Sequence, residues 1–256
     1  MIRNKYLILF VLFSCSLVGR SYELREWEDV KGNRINGRFV HELFGKLTIE
    51  DESGNPATLR IADLSEMDKK YVRVMIPPKI EVEVRTKAIP IPRRPQFSPR
   101  PELNENYVVS AQIVKKSQRP FTSRLNAELF LVAEEIGGEA YVLLSHTKGD
   151  FLLLEEKDYE YTFKSKATKV SRYEDLLTKR TRGDLYKGHL LLIASQQGEV
   201  IATTSSLPNW MQDPAVIENL RYLAVRGAPS LRSRHFGRDG KKVPPSRPPY
   251  VTPWAK

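Results

Sequence analysis

The chain has 256 residues, 41% of them apolar and 28% charged, which suits one or two domains with real cores. Its single cysteine, Cys15, excludes an intrachain disulfide and a thiolate metal cluster. The net charge of +10 sits at the ends: residues 1–20 carry three cations and no acid, residues 226–256 carry eight cations against Asp239, and residues 21–225 are close to neutral. A basic domain face that grips phosphates is therefore not expected, and nucleic acid is not an expected partner.

At the N-terminus, Arg3 and Lys5 precede an apolar run from Tyr6 to Val18. This is the pattern of a cleaved secretory signal over residues 1–20, with small Gly19 near the cut, and the run is short for a spanning helix. Leu12-Phe13-Ser14-Cys15 is a loose lipobox, so a lipid anchor at Cys15 is the alternative. No second long apolar run follows. The expectation is a secreted, periplasmic or cell-envelope protein with no membrane span once the signal is removed.

Residues 21–76 read as one small module. Glu23 to Val30 is a loose strand carrying Trp27, and Lys31-Gly32-Asn33 is a turn. Arg34 to His41 alternates, with Ile35, Gly37 and Phe39 on one side and Arg34, Asn36 and Arg38 on the other. Gly37 inside a strand predicts a bulge or a sharp bend. Gly45 to Glu50 and Ala57 to Ile61 are two further strands around the turn Asp51-Glu52-Ser53-Gly54-Asn55. Ser65 then caps a helix from Glu66 to Met75 in a capping box with Asp68, the helix presents Met67, Tyr71 and Val74, and Pro77 ends it. Short strands on tight turns predict a small SH3-like barrel.

Arg25-x-Trp27-x-Asp29, Gly32, Gly37-Arg38-Phe39-Val40, Gly45-Lys46-Leu47, Leu64-Ser65-x-x-Asp68 and Tyr71-Val72 together resemble the type-one Sla-one homology domain, over about a fifth of the chain. The resemblance implies an SH3-like fold and, as in the endocytic adaptor that names the family, binding of Asn-Pro-Phe-x-Asp peptides, a cytoskeletal-protein-binding role. Similar domains occur in many secreted bacterial proteins. Arg34 falls where the adaptor's domain has a lysine. The candidate ligand-binding residues are therefore Arg34 and Arg38, cations on one strand face that suit a peptide carboxylate, and Trp27 as an aromatic platform. Their bland alternatives are solvated strand charges and a core anchor.

Residues 77–105 are dense in proline and read as a stiff linker, or as an edge strand where Lys79 to Ile89 alternates. Residues 106–225 give strand after strand. Leu125 to Glu135 and Ala140 to His146 make the clearest hairpin, Phe151 to Leu154 is a short strand, and Gly183 to Gly188 is a turn-rich lead into His189 to Ser195. An antiparallel β-sandwich is expected. Asp213-Pro214 opens a short helix over Val216 to Val225. Residues 226–256 read as a disordered, basic, proline-rich tail suited to loose contact with anionic envelope polymers or lipid, with one P-x-x-P match at Pro245–Pro248.

No catalytic constellation emerges. His41, His146, His189 and His235 lack metal-ligand spacing, no glycine-rich phosphate loop precedes a helix, and Arg182-Gly183-Asp184 reads as a turn. Glu134-Glu135 and Glu155-Glu156 are adjacent acids, which point to opposite strand faces. The fold class expected is mainly β: a small SH3-like barrel, then an antiparallel β-sandwich with a short C-terminal helix. The function expected is non-enzymatic binding or structure, without cofactor or metal, its partner a protein or peptide. The alternative is a carbohydrate-binding or carbohydrate-active envelope protein working through the sandwich.

Overall fold

Period-two alternation becomes antiparallel pairing along most of the chain. The computed structural model describes residues 23–92, 102–117, 120–175, 179–226 and 234–245. The signal segment, the lipobox with Cys15, the run from Pro95 to Pro101 and most of the P-x-x-P match lie outside the described residues. Over these residues the protein is mainly β, with two α-helices, and the chain divides into two compact units between Val72 and Arg73.

The first unit is a four-stranded antiparallel meander: β1 (Arg25–Glu28), β2 (Arg34–Leu43), β3 (Lys46–Glu50) and β4 (Pro56–Arg60), hydrogen-bonded in that order. Asp51 shapes the β3–β4 turn by accepting the backbone N–H groups of Ser53 and Asn55, each at 2.8 Å. Helix α1 (Glu66–Met75) follows, with the expected bounds. Its inner side differs from expectation: Asp68 and Val72 are buried, while Met67 is 81% exposed. Only half of the expected capping box forms, because the Ser65 N–H donates to Glu28 O; the Asp68 carboxylate turns inward to Arg25 and the Glu28 N–H, which rotates Met67 out.

The bulge in β2 also differs from expectation. It falls at Val40, where the register shifts between Phe39 and His41, and not at Gly37. Gly37 stays in regular register with Arg25, and glycine there answers a lack of room for a side chain. A Cβ there would stand 3.0 Å from Ile49 Cδ1 and 3.2 Å from Glu50 O. Gly37→Ala is expected to lower stability by about 1–2 kcal/mol through overpacking, read as a shifted urea midpoint at unchanged slope.

The second unit builds one continuous antiparallel sheet that folds over into two layers. Its strands are β5 (Ile80–Pro90), β6 (Glu102–Lys115), β7 (Leu125–Glu135), β8 (Tyr141–Phe151), β9 (Glu160–Lys164), β10 (Thr168–Glu174), β11 (Thr181–Ser195), β12 (Val200–Ser205) and β13 (His235–Phe236). The hydrogen-bonded order is β13-β8-β7-β11-β10-β6-β5, with β12 on β11 and β9 on β6. The main core draws Val109, Ala111 and Ile113 from one layer and Leu129, Leu131 and Leu191 from the other, which is the packing of a β-sandwich. β5 settles the choice left open for residues 80–90: they pair with β6 along their whole length. Helix α2 (Pro214–Arg226) covers the outer face of the β7–β8–β11 layer, burying Val216, Ile217 and Leu220 against Phe130, Val132 and Leu192. Asp213 Oδ1 caps it through the Ala215 N–H at 2.8 Å.

Three sequence expectations change here. Residues 183–188 are not a turn but the interior of β11, where Gly183 opposes Arg172 at φ +107°. A Cβ at Gly183 would meet Ser171 O at 2.2 Å, so glycine answers a close backbone approach. Residues 152–154 are not a strand, since β8 ends at Phe151. The tail is structured over residues 234–245. His235 and Phe236 pair with Val142 and Tyr141, and Phe236 is fully buried in the core beneath α2. A segment too polar to fold alone needs only an existing strand edge and one aromatic side chain to dock.

Candidate functional site

The residues that carry the family resemblance converge on one place in the first unit. Arg25 leaves β1 so that its guanidinium carbon lies 3.7 Å from the Tyr71 ring centre and 4.5 Å from that of Trp27. The two rings meet edge to face at 5.8 Å. Arg25 Nη2 ion-pairs with Asp68 Oδ1, and the Asp68 side chain is almost fully buried. Asp68 Oδ2 also accepts the Glu28 N–H at 2.7 Å and the Ser65 hydroxyl at 3.1 Å, while Ser65 Oγ accepts the Asp68 N–H at 3.2 Å. Cation–π contact, a charge-assisted pair and a helix cap thus share one set of side chains. Their joint effect is to brace α1 against β1.

That geometry corrects the expectation for Trp27. It is 1% exposed and its indole N–H donates to Gly37 O at 2.9 Å, so it anchors the core and offers no stacking platform. Arg34 and Arg38 do share the opposite, outer face of β2, and Arg34 is exposed. Arg34 is held by Glu26 and Glu28 across β1, each at 3.3 Å. Arg38 opposes Glu50, is half-buried, and has its Nε enclosed without a hydrogen-bond partner among the described residues. The face is a striped arrangement of acids and bases, with Arg34 as its outer cation. Nearby, Asp29, Thr58, Leu59, Arg60, Asp63 and Leu64 line a shallow depression of about 180 Å³. Hydrogen bonds from the Asn33 side chain and backbone hold the Asp29 carboxyl below its usual range.

Two polar clusters in the second unit were not anticipated from the sequence. In the first, Asp184 of β11 directly opposes Glu135 of β7, and the next row of the same face runs His235, Val142, Ala133 and Tyr186 across β13, β8, β7 and β11. Burial pushes the Asp184 carboxyl up, His235 opposes the shift, and Glu135 adds to it. The rings at this end, Tyr107 and Tyr186, stack on one another at 4.3 Å and so leave no free face between them for a sugar. In the second cluster, Glu128 of β7 receives His146 Nε2 at 2.7 Å, Lys148 Nζ at 3.0 Å and Arg221 Nη2 at 2.7 Å. Burial disfavours its charge, but hydrogen bonds from His146, Arg221 and Lys148 outweigh burial and hold its carboxyl down to about 2. His146 also stacks on Phe130 at 4.5 Å. Among the described residues, no three His, Cys, Asp or Glu side chains are arranged to hold a metal ion. No helix among them is long and apolar enough to cross a membrane.

Fold and site together define a two-unit, antiparallel β protein whose first unit is braced by its own motif residues. No protein-family model matches the chain, and no curated protein matches it. Solved structures give distant likenesses. A crystal structure from Akkermansia muciniphila is 13% identical, covering 64% of this chain and 88% of that one at a TM-score of 0.25. The Northeast Structural Genomics Consortium target SoR45 is 12% identical, covering 50% of this chain and 85% of that one at a TM-score of 0.21. At these scores neither likeness bears on fold or function.

Proposed function

We propose that this is a secreted or envelope, non-enzymatic binding protein whose first unit is an SH3-like module of the Sla-one homology type, recognising short acidic or Asn-Pro-Phe-like peptides. The observation that carries the reading is the brace: Arg25, Trp27, Ser65, Asp68 and Tyr71, the residues of the resemblance, serve one another inside the unit. A motif spent on internal architecture leaves the outer face of β2 for recognition. There Arg34 is the exposed cation, and its carboxylate partners Glu26 and Glu28 stand where an acidic peptide would compete. Such exposed pairs are weak, about 0.2–1 kcal/mol each, so displacement is cheap.

A labelled Asn-Pro-Phe-x-Asp peptide titrated with the whole chain tests this. Arg34→Ala/Arg38→Ala is expected to weaken binding about tenfold, the scale of a lost charge-assisted contact. Glu26→Gln/Glu28→Gln frees Arg34 and is expected to tighten binding. Equal affinity for wild type and both double variants would remove the peptide-recognition role.

A further inference from the structure

The turn between β2 and β3 breaks the usual residue rule. Phe44 and Gly45 are its two central residues, between paired Leu43 and Lys46, and hold φ of 49° and 73°. A two-residue hairpin turn with positive φ at both centres normally carries Asn, Asp or Gly at the first. The two longer loops of this unit place glycine at their positive-φ position, Gly32 at 81° and Gly54 at 85°. A bulky aromatic residue in the left-handed region is a true outlier. Phe44 gains no burial in return: it is 84% exposed, and Leu43 beside it is 58% exposed. A side chain that strains the backbone and gains so little burial among the described residues is placed for something outside the hairpin.

The surroundings say what that is. Lys46 lies across from Leu43 on one side and from Arg60 on the other, and both cations are exposed. His41, hydrogen-bonded to Thr48 Oγ1 at 3.2 Å, stands further back along the same hairpin. Glu42 and Asp63, the latter paired with Arg60 at 2.7 Å, are the nearby acids. The result is an exposed apolar tip flanked by Lys46, which has no ion-pair partner among the described residues, and by the Arg60–Asp63 pair. Apolar tips enter the acyl boundary of a bilayer while long basic side chains reach back to the headgroups. Anionic headgroups add attraction for each cation near the surface.

We propose that the β2–β3 hairpin tip is a membrane-interface anchor that seats Phe44 and Leu43 in a bilayer bearing anionic phospholipid, with Lys46 and Arg60 at headgroup level. This stands apart from peptide recognition, because Arg34 lies at the opposite end of β2.

The test uses the whole chain, so the N-terminal apolar run and the basic C-terminal residues are the same in every variant. Wild type, Phe44→Asn and Phe44→Trp are sedimented with phosphatidylcholine vesicles, with and without phosphatidylglycerol. Phe44→Asn relieves the turn and is expected to raise the melting temperature by about 2–4 °C. It is also expected to lower partitioning onto phosphatidylglycerol vesicles about tenfold, for one partly buried aromatic side chain. Phe44→Trp keeps partitioning and adds, over the wild-type emission of Trp27, Trp210 and Trp254, a blue-shifted component that brominated lipid quenches. Equal partitioning of wild type and Phe44→Asn, without lipid-dependent emission from Phe44→Trp, overturns the proposal. So does a tip that captures a protein partner while vesicle binding is unchanged. An equal loss on neutral vesicles overturns the anionic preference.

Discussion

Asp68→Ala is expected to cost about 2–4 kcal/mol, at the lower end of the range for orphaning one member of a buried ion pair, because Arg25 keeps part of its side chain in solvent. The change removes more than a charge. Arg25 keeps its place over Trp27 and Tyr71 but loses its counter-ion, and the Glu28 N–H and the Ser65 hydroxyl lose their acceptor, while the backbone N–H at position 68 still reaches Ser65 Oγ. An orphaned donor near a buried ring carries its own desolvation cost. Asp68→Asn keeps an acceptor for Glu28 and is expected to fall between wild type and alanine. Urea unfolding gives the size of the loss, and hydrogen exchange locates it: amides of β1 and of the N-terminal turn of α1 should lose protection first. If Asp68→Ala left the midpoint unchanged, the brace would be a packing coincidence and the argument for the first unit would go with it. Replacing the pair together, Arg25→Met with Asp68→Leu, is expected to cost less than Asp68→Ala alone, because no charge is left buried without a partner.

What the sequence made legible follows the range of the interaction. α1 was legible at its start and close to its end because its signals are local: Ser65 before it, Asp68 in the first turn, Pro77 after it. The inward row Ile35, Gly37, Phe39 and the outward row Arg34, Asn36, Arg38 follow from the period of a strand alone. Trp27 was harder, since an aromatic in a short strand is more often a core anchor yet also suits a platform. Only the carbonyl of Gly37, ten residues on, decides it. The two clusters of the second unit were out of reach for the same reason. Glu135 and Asp184 are neighbours by register between β7 and β11, and Glu128 meets Arg221 only because α2 lies across the sheet. Gly183 misled because glycine marks a turn and a close backbone approach in the same way, and the second case depends on Ser171 in a strand paired through tertiary contact. Phe236 was hidden by its company: one aromatic among prolines and cations gives no periodic signal, yet a strand edge at Tyr141–Val142 was waiting for two residues.

Glu128 sets a second large effect, and this one depends on pH. Its carboxyl is held at about 2 in the folded chain against an ordinary value of 4.5. A carboxylate whose folded value is depressed adds stability above its unfolded value, and that stability is lost as pH falls from about 4.5 towards 2. A separation of about 2.5 units corresponds to about 3 kcal/mol. The exposed ends of Lys148 and Arg221 are partly screened, so about 2–3 kcal/mol is the expected reading. The chain carries many other acidic side chains, so the measurement must be a difference between two proteins. Wild type and Glu128→Gln are unfolded in urea at about pH 6 and about pH 3. Glutamine keeps the shape and one acceptor but has no charge to lose, so the gap between the two proteins should be widest near pH 6 and shrink at pH 3. A gap that stays constant across the window would mean that Glu128 acts only through packing. A gap that closes would show that the attachment of α2 to the sheet is in part ionic, because Arg221 is the member of the cluster that α2 supplies. The remainder of that attachment is the apolar contact of Leu220 and Ile217 with the strands beneath, which acid leaves intact. Acid alone should therefore loosen α2 without releasing it, and amide exchange in residues 214–226 at about pH 3 should rise well before the β7–β11 pairs begin to exchange.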